Sequence, residues 1–156
     1  MASYDIETLL IDVKEVMTTN LNTKITDINT EKNDTTILSA INAAAYLQDM
    51  DDSTAVYDPF VLYMVTNIDS EGIGPATMKT VTVNIAIILV DSSYLDIINR
   101  MWRYGRALEE IFEEKWKFKR GVCDFKIESL PVLSFQLLDE SQRYKVVGIN
   151  LISSFA

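Results

Sequence analysis

One alternating run in the middle of the chain constrains the fold more than any other feature. In residues 80–90, TVTVNIAIILV, apolar side chains occupy every second position, and polar side chains fill the gaps in the first half. A period of two with many β-branched residues predicts a β-strand and not a helix. A continuous apolar run, residues 60–66, precedes it and predicts a second strand. We expect the two strands to form a hairpin, with a long turn at 67–77 that contains Gly72, Gly74 and Pro75.

Two amphipathic helices are predicted, one before and one after this hairpin in the sequence. Residues 5–21 place their apolar side chains on one arc at about 100° per residue, with Ser3 as a helix cap. A second arc begins after the capping residues 91–93 and runs to about Phe118. Gly105 lies on this second arc, where it would let the helix approach a sheet closely despite a propensity cost of about 1 kcal/mol.

The remaining segments complete an α+β pattern. Residues 22–35 predict a loop and residues 36–50 a short helix, and three further strands are predicted at 123–128, 133–137 and 144–153. Strands that follow one another in pairs predict an antiparallel or mixed sheet, with the N-terminal and central long helices packed on one face. A chain of 156 residues has room for one such domain, spanning 1–156, with 22–56 as an insertion of extended loop and short helix.

The amino-acid composition excludes several common catalytic mechanisms. The chain has no histidine, which excludes Ser-His-Asp and Cys-His catalysis and His-ligated metals. Its single cysteine, Cys123, alternates with Phe125 and Ile127 and is predicted to be a small core residue. No catalytic or cofactor-binding residue is predicted, and we expect a protein that is not an enzyme.

A cluster of acidic residues precedes the hairpin. It lacks the central glycine and the final glutamate of a calcium-binding loop, so we predict a solvated loop and no metal site. The cluster comprises Asp49, Asp51, Asp52 and Asp58.

The long second helix carries arginines at intervals of three residues. Arg100, Arg103 and Arg106 share one side of it with several glutamates, which is typical of a solvated surface with ion pairs. Trp102 lies beside them, and an exposed tryptophan among arginines is typical of a protein interface. We therefore predict a contact between neighbouring copies, formed by Arg100, Trp102, Arg103 and Arg106 on one side and Asp49, Asp51 and Asp52 on the other.

Charge and hydropathy limit the partners. The net charge is −9, and the first 90 residues hold 13 acidic and 4 basic side chains, which disfavours binding to a phosphate backbone. Basic and aromatic residues alternate in 115–120, which leaves single-stranded nucleic-acid binding as a minor alternative. No apolar run approaches the ~20 residues that span a bilayer, and the first residues lack a signal-peptide pattern, so we expect no membrane association.

The order of the elements resembles the tail-terminator or tail-completion proteins of tailed bacteriophages. The resemblance includes the entry into the first strand, Asp58-Pro59-Phe60-Val61-Leu62-Tyr63, and the closing segment Tyr144-Lys145-Val146-Val147-Gly148-Ile149. It implies a structural virion protein, made in the host bacterial cytoplasm, that forms a homo-oligomeric ring, commonly of six copies. Such a ring closes the tail tube and contacts the tail tube protein and the neck or connector protein. DNA would pass through its lumen without specific binding.

Two other classes stay open at this point. One is a different ring or adaptor of the head–tail connector, or of a related contractile machine. The other is a small α+β domain that binds a ligand or acts as an enzyme.

Overall fold

The computed structural model describes residues 4–49, 57–73, 76–90, 96–116, 121–136 and 143–155. These ranges contain two helices, α1 (Ile6–Lys32) and α2 (Ile97–Lys115). They also contain five strands: β1 (Tyr46–Leu47), β2 (Phe60–Ile73), β3 (Ala76–Val90), β4 (Asp124–Gln136) and β5 (Arg143–Phe155). The strands form one mixed sheet in the order β1-β2-β3-β5-β4. Only β1 and β2 are parallel, and the predicted α+β class with a mixed sheet is confirmed.

Helix α1 is longer than predicted. Asp5 caps its start by accepting the N–H of Thr8 at 2.8 Å, while Ser3 lies outside the described residues. The predicted loop at 22–35 is wrong, because Leu21, Ile25 and Ile28 continue the buried side of the helix through that segment. The helix ends at Asn33, whose left-handed backbone (φ 47°) closes the last turn.

The short helix predicted for 36–50 is also wrong. Residues 33–41, here called the strap, contain no helix, and two residues of strand β1 follow. Strand β1 pairs with the start of β2, where the N–H of Val61 donates to the carbonyl of Ala45 at 2.8 Å.

Strands β2 and β3 extend into the predicted turn, since they pair from Phe60 opposite Ile88 to Ile73 opposite Ala76. The turn residues Gly74 and Pro75 lie outside the described residues. A bulge interrupts β2 between Val65 and Asn67. The resulting hairpin is longer than the periodicity of β3 alone indicates.

The two strands predicted at 123–128 and 133–137 are one strand, β4, with an irregularity between Leu130 and Leu133. Pro131 lies in this irregularity, where a missing N–H is tolerated in an edge strand. Cys123 is exposed, so its predicted core position is wrong.

The two faces of the sheet differ in character. One face, here called the α2 face, carries the buried side chains of Val83, Ile85, Ile149 and Leu151. Helix α2 packs on it, and Trp116 at its end donates its indole N–H to Ser153 at 3.0 Å. Helix α1 joins α2 through Lys24, which contacts Glu110 and Glu114. That both helices cover the same face stays a prediction.

The opposite face, here called the polar face, is polar over half of its length. Asn84 donates to Asn150 at 3.1 Å, and the hydroxyls of Thr80 and Ser154 lie 3.0 Å apart. Toward the other end of β3 this face becomes apolar, with Ala86 buried there.

Two glycines set how closely the layers approach. A Cβ on Gly105 would lie 2.9 Å from Cγ2 of Val147, which confirms the predicted close approach of α2 to the sheet. A Cβ on Gly148 would instead overlap the backbone carbonyl of Ile85 in the neighbouring strand. The obstacle at Gly148 is backbone and the closer of the two, whereas the obstacle at Gly105 is one side-chain methyl group.

We expect Gly148→Ala to lower the free energy of unfolding by about 1–3 kcal/mol, because the strands must separate locally to admit the methyl group. Gly105→Ala is the matched control. Its gain in helix propensity offsets the contact with Val147, so we expect a change within about 1 kcal/mol. Urea unfolding followed by circular dichroism measures both, and equal losses for the two variants would contradict this account.

Candidate functional site

The predicted interface arginines of α2 contact acids and carbonyls of their own chain. Arg103 holds both carboxylate oxygens of Asp34, with Nη1–Oδ1 at 2.8 Å and Nη2–Oδ2 at 2.6 Å, and also the carbonyl of Thr36 at 2.6 Å. The two parallel bonds form the fork geometry that binds a carboxylate most specifically. Arg103 therefore anchors the strap to α2.

The other two arginines act in the same way. Arg106 binds Glu31 at the end of α1 and donates its Nε to Glu110 at 2.9 Å. Arg100 donates its Nε to Asp96 at 3.0 Å and an Nη1 proton to the carbonyl of Ile37. Their predicted contact with a neighbouring copy stays a prediction, and any such contact would have to share these guanidinium groups.

Electrostatics at this cluster follow from the pairing. The Arg103 guanidinium, together with the N–H of Thr36, lowers the pKa of Asp34 from 3.8 to about 2. Hydrogen bonding to Arg106 lowers the pKa of Glu31, and the two carboxylates bound to Arg106 raise its own pKa. The charged forms of the cluster are therefore stable at neutral pH.

Two asparagines of α1 hold the backbone of the strap. Asn22 donates its amide to the carbonyl of Ile41 at 2.9 Å and accepts the N–H of the same residue at 2.8 Å. Asn29 makes the same pair of bonds with Leu38, at 3.0 Å and 2.8 Å. Each amide thus satisfies one donor and one acceptor, as a neighbouring strand would.

Helix α2 completes the attachment of the strap from the other side. Tyr104 donates its hydroxyl to the carbonyl of Ser39 at 2.9 Å, and burial raises the pKa of this tyrosine to about 12. The strap is therefore fixed by side chains of both helices.

The acidic half of the predicted interface is seen only in part. Asp49 is exposed, while Asp51 and Asp52 lie outside the described residues. In the ranges that the structure describes, no three His, Cys, Asp or Glu side chains form a group that could hold a metal ion.

Trp102 is the exposed aromatic of α2, with 53% of its surface accessible. It separates two hollows. One, of about 340 Å³, is lined by Lys32, Asn99, Arg103 and Arg106, and the other, of about 130 Å³, lies against Leu130 and Val147. Ile98, one helical turn earlier, is also exposed, so the tryptophan belongs to an apolar surface on α2.

A larger groove, of about 790 Å³, lies between the first half of α1 and the sheet. Its apolar wall consists of Ile6, Leu10 and Ile11, and Tyr63 of β2 lies opposite. Ile11 in this wall is 60% exposed. The groove is a surface that sequence reasoning did not assign.

The edge of β2 beside this groove is open. Among the residues that the structure describes, β1 pairs only with Val61 and Leu62, so β2 has no strand partner on that side from residue 65 onward. At the far side of the sheet, β4 is likewise unpaired on its second edge within the described ranges. Exposed backbone donors and acceptors of this kind can add another strand.

One signal for the strap attachment was present in the sequence. Asn22 and Asn29 are seven residues apart, or two helical turns, and therefore lie on the same side of α1. If this segment is interpreted as a helix, the spacing places the amides of Asn22 and Asn29 in one row. If it is interpreted as a polar loop, the spacing predicts nothing about them.

A scan against protein-family models and a search of curated proteins each find no match to this chain. Neither helix in the described part of the chain is long and apolar enough to cross a membrane. The assignment of function therefore depends on the surfaces described above.

We expect Asn29→Ala to lower the free energy of unfolding by about 2 kcal/mol or more, because it leaves the N–H and C=O of buried Leu38 unpaired. Thr30→Ala is the control, since that exposed side chain only bonds back to the carbonyl of Thr26. Its expected change is within about 0.5 kcal/mol. Urea titration measures both variants. If Asn29→Ala leaves the free energy of unfolding unchanged, water replaces the two hydrogen bonds of the Asn29 amide.

The Arg103–Asp34 pair predicts a defined pH dependence. The folded pKa of Asp34 is about 2, below its usual 3.8, so the stability that the pair contributes is complete above pH ~4 and is lost as the pH falls toward 2. The stability difference between the wild type and Asp34→Asn should shrink across that window. Urea titrations at pH 6, 4, 3 and 2.5 measure it, and a constant difference would contradict the pairing.

Proposed function

We propose that this chain is a structural virion protein of a tailed bacteriophage, which forms a ring that terminates the tail tube and joins it to the neck. The resemblance in element order supports the class of protein. The open edges of the sheet are the observation that carries the ring.

The two open edges differ, and this difference favours a ring over a pair. The β2 edge borders the groove of α1 at Tyr63, whereas the β4 edge contains Pro131, which has no N–H to donate. When a contact joins two unlike surfaces, an open chain of copies has one unpaired surface of each kind at its two ends. Only a closed ring pairs both. The contact is therefore head-to-tail, and closure removes both edges.

The polar face supports the proposed passage of DNA. Among the side chains that the structure describes, those around the hydrogen-bonded centre of this face include three carboxylates and one ammonium group, from Asp69, Asp124, Glu128 and Lys126. In a ring whose axis runs along the strands with the helices outside, this face lines the lumen. An excess of carboxylates does not retain a phosphate backbone.

The apolar surface around Trp102 supports contacts with the tail tube protein or the neck protein. Trp102 and Ile98 lie on α2 and are 53% and 45% exposed, and the hollow beside Trp102 reaches Ser129 and Leu130 of β4. Tryptophan and arginine are both enriched among the interface residues that contribute most of the binding energy. We assign this surface to partners above or below the ring.

The ring itself is tested by light scattering coupled to size exclusion, over a range of protein concentrations and at low and high salt. We expect one discrete species several times heavier than a single copy, with ring-shaped particles in negative-stain images. Because the chain carries a net charge of −9, higher salt should favour association by screening repulsion. A strict monomer at all concentrations, with or without tail tubes, would overturn the proposal.

Function at the tail is tested with tubes assembled from the tail tube protein of the same phage. Rings of this protein should be seen at tube ends and should stop further growth. Trp102→Ala should weaken this capping at least tenfold and leave the ring intact. Exposed Thr19→Ala, on α1, is the matched control and should cap like the wild type. Rings that form but never bind tubes would assign the protein to another position in the connector.

A further inference from the structure

We infer that the ring is joined by an antiparallel β-pairing between residues 67–70 of β2 in one copy and residues 125–128 of β4 in the next. This inference rests on the proposed ring and names its contact surfaces. It follows from strand direction, from the groups that each edge exposes, and from the charges along both strands.

Strand direction is compatible with closure. Three antiparallel steps separate β2 from β4 in the sheet, so the two edge strands run in opposite directions. A rotation about an axis parallel to the strands preserves both direction and face. The β4 edge of one copy therefore meets the β2 edge of the next as an antiparallel pair, with the α2 faces of both copies on the same side.

Backbone groups on the two edges match. Val61 donates to the carbonyl of Ala45, so alternate residues of β2 present their N–H and C=O to this edge, and beyond the bulge these are Ile68 and Ser70. Backbone N–H and C=O groups also alternate between the two edges in β3, β5 and β4. Followed across the sheet, this alternation directs those of Phe125 and Ile127 toward the free edge of β4. All four residues belong to the α2 face.

Side chains select one register. With Ile68 opposite Ile127, Asp69 lies opposite Lys126, and both of these charged residues are on the polar face. A shift of two residues in either direction sets Asp69 opposite another acid of β4. Lys126 already contacts Glu128 at 3.2 Å, but 70% of its side chain is exposed and accessible to a second carboxylate.

The start of α1 lies at the level of the proposed joint along the strands. Tyr4, just before α1, packs its ring on Phe155 with centroids 5.1 Å apart, and Phe155 lies at the level of Lys79 and hence of Ser70. Farther along α1 the groove reaches Tyr63. The lining of the groove therefore reaches β2 at Tyr63, five residues before Ile68.

Apolar contacts would complete the joint. Ile68 is 50% exposed and Ile11 is 60% exposed in the single copy. In the register above, Ile127 of the next copy lies opposite Ile68 on the α2 face. The joint thus covers apolar surface that a single copy leaves exposed.

Paired cysteines test this contact in the assembled protein. In a Cys123→Ser background, Asp69→Cys and Lys126→Cys are introduced together and treated with a short bis-maleimide. A ladder of cross-linked species up to the full ring is expected, while either single cysteine alone gives no ladder. The control pair, Asp69→Cys with Asn99→Cys on α2, should give none.

A proline at the edge provides an independent test. Ser70→Pro removes an N–H that faces outward and no ladder bond within the chain, so the single copy should keep its circular dichroism spectrum. Ser70→Ala keeps the N–H and is the control. We expect Ser70→Pro to raise the concentration needed for half-assembly at least tenfold, and Ser70→Ala to leave it unchanged.

The outcomes separate this inference from the proposed function. Rings with a cross-linked ladder support both. Rings without a ladder, or rings that tolerate Ser70→Pro, overturn the joint and leave the proposed function standing. Absence of rings from the wild type overturns both. If Ser70→Pro unfolds, the cross-linking result alone decides.

Discussion

The rest of the structure depends on the two asparagine amides that hold the strap against α1. The strap contains no helix, and the backbone of Leu38 and Ile41 within it is buried. Unpaired groups there would cost about 1–3 kcal/mol each, and the amides of Asn22 and Asn29 satisfy four of them. Because only residues 42–45 separate the strap from β1, these bonds also help to fix where β1 meets β2. The position of β1 in turn determines where the open edge of β2 begins.

The charges of α2 are used for cohesion within the chain. Each arginine joins an acid to a second group: Arg103 joins Asp34 to the Thr36 carbonyl, and Arg106 joins Glu31 to Glu110. Such pairs lie at the surface, where solvent and salt reduce their contribution to stability, but their geometry specifies how α1, the strap and α2 are arranged. What remains exposed between them is apolar, chiefly Trp102. Because the arginines of α2 bind groups of their own chain, the surroundings of Trp102 are held in place. A surface held in place in this way is suited to recognition of a partner.

The sequence predicts the elements whose periodicity is regular and fails where side chains satisfy backbone groups far away in the chain. Strand β3 alternates cleanly, and α2 shows a wide apolar arc with Gly105 at the contact with the sheet, so both were predictable. The second half of α1 was not, because threonine and asparagine have low helix propensity and only Leu21, Ile25 and Ile28 mark its buried side. The arginines lie on one helix as predicted, and their role at an interface stays a prediction; their partners Asp34 and Glu31 lie in the segment that the propensities assign to a loop. A missed helix therefore led to missed ion pairs.

The irregularities in the edge strands give the sheet a limited capacity to associate. An open edge that is long, regular and apolar invites uncontrolled pairing, and natural sheets limit it with bulges, charges and proline. Here the β2 edge is interrupted between Val65 and Asn67, and the β4 edge between Leu130 and Leu133, at Pro131. Each interruption leaves only a short regular stretch, bordered by charged residues. In the proposed ring, short complementary stretches on unlike edges favour one register, and the rotation between neighbouring copies then decides whether the chain of copies closes into a ring or continues as a filament.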